Sequence, residues 1–222
     1  MTLEKDGGFA APRIQWPPDE SGQREVAHQA GQILRHGGLV VYPTDTVYGI
    51  GADPLNALAV ERIYGAKVRP GEKAIIWLID KLERVADTCL ISSAARALAA
   101  AFWPGALTLV LPLQQPHSEV LLTQAVRMPN HPAALGIIAA AGGAVATTSA
   151  NRSGAPAARN AEEASEALGQ HVDLIVDAGT SPGGRESTVL DLSVAPATIL
   201  RAGPVTAADI ERVIGATIER PS

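Results

Sequence analysis

Four short polar runs, each beside an apolar stretch, carry the residue types needed to handle an anionic substrate. The first is PTDTVYGIG (43–51), directly after the apolar run LVVYP (39–43). Pro43 ends the run, and the hydroxyls of Thr44, Thr46 and Tyr48 and the carboxylate of Asp45 follow. Gly49 and Gly51 permit a close backbone approach. At the carboxyl end of a strand, where α/β sheets bind ligands, Thr44 and Tyr48 stand at a pocket mouth. In a plain strand-to-helix turn the same hydroxyls would satisfy backbone groups. The second run is Lys67-Val68-Arg69-Pro70. On an extended backbone, residues two apart point the same way, so Lys67 and Arg69 are placed to clamp one anion, Arg as a fork and Lys as a point charge. The third is TTSAN (147–151), followed by Arg152-Ser153-Gly154. Its hydroxyls and amide suit an oxygen-binding rim or, equally, a helix cap or Asx turn. The fourth is STVLD (187–191), with Arg201 ending a later apolar stretch as Arg127 ends AVR (125–127). An arginine close to a core needs an anionic partner, which is either a ligand or a structural salt bridge.

The common catalytic signatures are missing. No Gly-Lys pair exists, so there is no Walker A loop, and GIGADP (49–54) ends in Pro where a dinucleotide fingerprint needs Gly. The five histidines (28, 36, 117, 131, 171) are scattered and offer no metal-ligand spacing. There is no nucleophile elbow.

The elements that must hold these runs are read from periodicity and stop signals. Residues 1–20 lack periodicity and read as a loose tail, with Trp16 available for docking. Helices are predicted over 22–36 (capped by Ser21 and stopped by Gly37 and Gly38), 55–66, from Ser92 or Ser93 to about Phe102, 132–141 after Pro132, from Asn160 to Leu168, and from Thr206 to Gly215. Strands are predicted over 39–43, 74–79, 106–112, 123–128, 144–149, 172–179, 187–193 and 197–203. Helices and strands interleave throughout, which defines an α/β class: a single domain over 21–222 with a mixed sheet packed by helices. The polar stretch 151–160 is a functional loop rather than a linker.

Composition bounds the function. With 46% hydrophobic and 18% charged residues the chain is globular. A net charge of −5 argues against a protein whose main task is gripping a phosphate backbone. One cysteine, Cys89, excludes an internal disulfide framework. No apolar run is long enough for a membrane span and the N-terminus lacks an apolar signal core, so the cytoplasm is the expected home.

From about residue 24 to 205 the chain resembles the YrdC-like threonylcarbamoyladenylate synthases. The landmarks are GGLVVYPTDTVYGIGADP (37–54), KVRP (67–70), WPGALTLVLP (103–112), AVRMPNHP (125–132), TTSANRSG (147–154), ESTVLDLS (186–193) and ILRAGP (199–204). The family's Lys-x-Arg and Ser-x-Asn signatures stand as Lys67/Arg69 and Ser149/Asn151. The resemblance implies a twisted, partly open, barrel-like sheet around a positively lined groove. It implies that L-threonine, bicarbonate and ATP (with Mg2+ on its phosphates) yield L-threonylcarbamoyladenylate and pyrophosphate. Partner proteins would then pass the threonylcarbamoyl group to an adenosine beside the tRNA anticodon. Lys67, Arg69, Ser149 and Asn151 are the implied catalytic set. ATP contacts come from these with Thr123 and Arg201, threonine contacts from Thr44, Arg127, Thr147 and Ser187, and no protein side chain is assigned to a metal. Many relatives carry a histidine a few residues beyond the basic motif. Here that stretch is Lys73-Ala74-Ile75-Ile76-Trp77-Leu78, so no histidine contact carries over, and Trp77 becomes either core or pocket wall. Ending at Ser222, the chain resembles the short, single-domain form. Two other readings share the fold: an RNA-binding accessory paralogue, and a carbamoyl-transfer domain that forms carbamoyl-adenylate.

Overall fold

The computed structural model describes residues 11–67, 75–115 and 122–220. The chain begins with β1 (Arg13–Gln15), α1 (Glu20–Arg35), β2 (Val40–Tyr42), β3 (Gly49–Ala52) and α2 (Ala57–Lys67). It continues through β4 (Ile76–Ile79), a single 3-10 turn (Leu82–Val85), α3 (Ser93–Phe102), β5 (Leu107–Pro112), β6 (Thr123–Arg127), α4 (Pro132–Ala140) and β7 (Ala144–Ser149). It closes with α5 (Ala161–Leu168), β8 (Leu174–Asp177), β9 (Thr188–Asp191), β10 (Thr198–Arg201) and α6 (Ala207–Ile214). All ten strands join one open mixed sheet in the order β1-β8-β2-β3-β7-β4-β6-β5-β9-β10.

The helices start where side chains can satisfy their first amide groups. Asp19, not Ser21, caps α1 by accepting the Gly22 N–H at 2.8 Å. Ser92 caps α3, His131 caps α4 ahead of Pro132, and Asn160 caps α5. Thr206 and Asp209 form a reciprocal capping box on α6, which ends at Gly215 with φ 67°.

Three apolar clusters position the sheet. Val41, Ile50 and Ile175 pack outward against α2 and α5. Leu107, Leu109, Val126, Leu190 and Ile199 pack outward against α3 and α6. On the other face, Val26, Ala27, Ala30 and Leu34 of α1 and Ala134, Ile137 and Ile138 of α4 cover Tyr42, Leu78, Val145 and Leu174. Each fully buried Leu or Ile contributes about 1.5–3 kcal/mol. The α1–α4 crossing is close: a Cβ on Gly31 would stand 2.6 Å from the Ala140 carbonyl carbon.

Three sequence expectations change here. Residues 13–15, read as part of a loose tail, pair with β8 in parallel, and Trp16 packs against the α1–α4 cluster. Asp177 supplies the anchor, accepting from the Arg13 Nη2 at 2.6 Å and the Gln15 Nε2 at 2.6 Å. Residues 49–52, where Gly49 and Gly51 read as permitting a close backbone approach, form the antiparallel strand β3 between β2 and β7. The close approaches at Gly49 and Gly51 are to neighbouring strands, since added Cβ atoms would meet Thr147 Cγ2 and Val145 Cγ1, each at 2.7 Å. Lys67 is the last residue of α2, so it is not on the extended backbone the sequence reading assumed.

Candidate active site

Strand alternation brings polar side chains to one face. In β7, Val145, Thr147 and Ser149 share a face, and Ala146 and Thr148 take the other. Thr147 pairs with Ile76 of β4, and Leu78 of β4 pairs with Arg127 of β6. Next to them, Thr108 of β5 pairs with Val189 of β9. Arg201 belongs to this face only because of a bulge. Ile199 pairs with Leu190, but Arg201 pairs with Val189, so the register shifts between them. Without the shift, Arg201 would share the buried face of Ile199; the extra residue, Leu200, turns it to the polar side.

These strands and the loops after β2, β7 and before β9 enclose a cavity of about 300 Å3. Thr44, Lys67, Arg127, Thr147, Ser149, Asn151, Ser187 and Arg201 all line it, so most of the sequence-derived set converges. Thr123 does not: it lies at the opposite end of β6 from Arg127, paired with Pro112. Arg69 lies outside the described residues. Thr46, Glu186 and the apolar Ile76 and Leu78 also line the cavity, and the sequence reading had not singled them out as site residues. The signal for Glu186 was its place at the head of a polar run entering a strand.

Lys67 is buried, 2% exposed. Its ammonium donates to the Ser149 carbonyl, to the Asn151 carbonyl at 2.7 Å and to Asn151 Oδ1 at 3.0 Å. Ser149 Oγ donates to the same Asn151 Oδ1 at 2.6 Å, and Asn151 Nδ2 donates to the Ala155 carbonyl. Lys67 of the first signature and Ser149 and Asn151 of the second, more than 80 residues away, thus form one hydrogen-bonded unit. The following loop is pinned as well, with the Tyr48 N–H donating to the Ala158 carbonyl at 2.9 Å.

Arg127 is also buried. It donates to the Gly105 carbonyl at 2.8 Å, to Thr46 Oγ1 at 2.9 Å and to Asp45 Oδ1. Burial pulls its pKa down, Asp45 holds it up, and the nearby charge of Arg201 lowers it further. Arg201 donates to the Ser187 carbonyl at 3.0 Å, to Ser187 Oγ at 3.2 Å and to Glu186 Oε2 at 2.8 Å. Both arginines therefore have structural partners, and both still line a cavity in which their like charges repel. An anion between them would relieve that repulsion.

The hydroxyls differ in how committed they are. Thr44 Oγ1 donates to the Val47 carbonyl at 2.7 Å and accepts from the Thr46 and Val47 amides, so it shapes its own loop. Thr147 and Tyr42 share a hydrogen bond at 2.6 Å, and burial holds the Tyr42 phenol above its usual pKa. Tyr48, expected at the mouth, does line the cavity, while its hydroxyl donates to the Gly179 carbonyl at 2.7 Å. Trp77 packs in the α3–α6 cluster, which settles its place as core.

The fold and this cavity define a class: an open mixed α/β sheet whose polar face gathers guanidinium, ammonium and hydroxyl groups around room for a small anionic molecule. The chain belongs to the Sua5/YciO/YrdC family, whose profile, described as telomere recombination, matches residues 32–203. It is 42% identical to the threonylcarbamoyl-AMP synthase of Bacillus subtilis over 84% of this chain and 56% of that protein. It therefore spans a little over half the length of that relative. The crystal structure of P. abyssi Sua5 complexed with L-threonine superposes with a TM-score of 0.83 at 38% identity, covering 95% of this chain and 63% of that one. The crystal structure of E. coli YciO superposes with a TM-score of 0.77 at 27% identity, covering 90% of this chain and 98% of that one.

Proposed function

We infer that the chain makes L-threonylcarbamoyladenylate from L-threonine, bicarbonate and ATP, with release of pyrophosphate. The observation that carries this reading is the pair Arg127 and Arg201, two guanidiniums facing one cavity beside Lys67, Ser149 and Asn151. The named activity of the B. subtilis relative and the L-threonine in the P. abyssi structure support it.

The threonine amine, as the free base, condenses with bicarbonate-derived CO2 to give a carbamate, with net loss of one water counted from bicarbonate. A carbamate oxygen attacks the α-phosphorus, and the P–O bond to pyrophosphate breaks. Charge grows on the leaving group, so the protein's part is positioning and cationic stabilisation. Arg127 keeps N–H groups beyond its three protein contacts for the threonine carboxylate. Arg201 faces the nucleotide; Arg69, outside the described residues, is assigned to the nucleotide by the family resemblance alone. Lys67 adds positive charge and holds Ser149 and Asn151 against the nucleotide. Thr147 and Ser187 complete the amino-acid side, with Thr44 acting through the loop it shapes. Magnesium enters with the triphosphate as part of the substrate. The described residues contain no group of three His, Cys, Asp or Glu side chains that could hold it, so no step is assigned to a protein-bound ion. Transferase proteins of the tRNA pathway would consume the adenylate. Among the described residues no helix is long and apolar enough to cross a membrane.

The test is pyrophosphate release from purified protein with ATP and bicarbonate, with and without L-threonine. Strict threonine dependence with an adenylate product by mass spectrometry is the expected result. ATP binding without threonine-dependent release overturns the reading and favours an RNA-binding paralogue, checked by RNA affinity and its salt slope.

A further inference from the structure

The cavity wall is strongly cationic, yet one carboxylate side chain, Glu186, stands among its described lining residues. That contrast has a chemical meaning if the substrate is an amino acid, as the preceding reading holds. An amino acid at neutral pH carries a carboxylate and an ammonium group. Lys67, Arg127 and Arg201 suit the carboxylate and phosphates. They repel the ammonium, which needs an anionic partner.

Glu186 is held in place by its backbone. A Cβ on Gly203 would stand 2.8 Å from the Glu186 carbonyl oxygen, 2.5 Å from the Ser187 carbonyl carbon and 2.2 Å from the Thr188 nitrogen, so the ILRAGP turn lies flat against residues 186–188. The Thr188 N–H is bonded to the Ala106 carbonyl at 3.0 Å. The carboxylate itself is half-exposed, with Oε2 accepting from Arg201. Arg201 has two further anchors on Ser187, so its position does not depend on Glu186 alone. No described residue donates a hydrogen bond to the other carboxylate oxygen, Oε1.

We propose that Glu186 receives the α-ammonium group of the amino-acid substrate through this carboxylate, and so sets the preference for an α-amino acid over the matching α-hydroxy acid. The role is one of binding and specificity; the ammonium must still release a proton before the amine takes up CO2, and that proton transfer is not assigned to Glu186.

The experiment compares binding of L-threonine and of its α-hydroxy analogue, 2,3-dihydroxybutanoate of the same configuration, to wild type and to Glu186→Gln by calorimetry. An ammonium forms an ion pair with the carboxylate, whereas a hydroxyl gives it one hydrogen bond from a neutral donor, so wild type should prefer threonine by about 10- to 100-fold. Glu186→Gln should weaken threonine by about that factor and leave the analogue within about 2-fold, since a glutamine oxygen still accepts from a hydroxyl. Glu186→Asp should restore part of the preference. Equal weakening of both ligands would assign Glu186 to Arg201 alone and overturn the proposal. An unchanged preference in Glu186→Gln would overturn it too, while threonine-dependent pyrophosphate release kept the function reading intact. A wild type that binds no threonine would remove both.

Discussion

Lys67 shows how burial changes the reading of a side chain. Beside Arg69 in the sequence it reads as one half of an anion clamp. In the structure its ammonium sits among the Ser149 carbonyl, the Asn151 carbonyl and Asn151 Oδ1. Lys67→Met keeps the apolar stem and removes the three donors, leaving buried acceptors without their partner. Hydrogen bonds to a charged group contribute roughly 1.5–3 kcal/mol, and the open cavity lets water replace part of the loss. The expected outcome is a loss of about 1.5–3 kcal/mol in urea unfolding, together with weakened nucleotide binding. Weakened binding at unchanged stability would return Lys67 to a clamp alone. Arg127 makes the same point from the other side. The sequence left open a ligand or a salt bridge, and the side chain has both an Asp45 partner and a place in the cavity wall.

At the scale of elements, packing separates glycines that look alike in sequence. Gly31 lies where α1 crosses α4, with Ala140 backbone 2.6 Å from an added Cβ. Gly65 lies in α2 with nothing within 4 Å of an added Cβ. Gly31→Ala should destabilise by about 1–3 kcal/mol through overpacking. Gly65→Ala should stabilise by about 0.5–1 kcal/mol through helix propensity. Denaturant midpoints of the two variants check both signs, and a stabilising Gly31→Ala would mean that the two helices can separate. The helices were legible in the chain because their caps are local: Ser92, Asn160 and the Thr206–Asp209 box are written in consecutive residues. Eight strands were legible as apolar runs. β1 was not, because three residues with exposed ends carry little pattern and their pairing depends on Asp177, more than 160 residues away. β3 was not, because Gly49 and Gly51 have no side chain with which to alternate. In the site, the seven landmarks carried the residue types, but the bulge that turns Arg201 toward the cavity is a register event that no spacing along the chain reveals. Asp45 was visible in its motif, yet its pairing with Arg127 spans 82 residues.

For the whole molecule, the sheet joins its far-apart segments through groups that titrate at different pH, and stability should reflect this. His131 caps α4 by accepting the Ala133 N–H on Nδ1 at 3.2 Å, which requires a neutral ring nitrogen. Burial holds its pKa below the usual value, with Asp45 opposing. In the unfolded chain the ring titrates near about 6.5. Between its lowered folded pKa and that value the unfolded state binds more protons, so stability rises with pH across the window. The contribution is complete above about 6.5 and is lost as the pH falls toward the folded pKa. Asp177 acts lower on the scale. Burial pushes its carboxyl up, but the Gly179 N–H, Arg13 and Gln15 outweigh this and hold it below its usual value. Its contribution is complete above the unfolded value of about 3.9 and is lost as the pH falls through the lowered folded pKa. Acid should therefore weaken the protein in two stages, first at the α4 cap beside the cavity and then at the β1–β8 edge. His131→Asn supplies a cap that does not titrate. Unfolding free energies measured from about pH 7.5 downward should fall in wild type once the pH drops below about 6.5, and less steeply in this variant. Parallel curves across the whole range would mean that α4 is capped in a way that does not depend on the charge of His131.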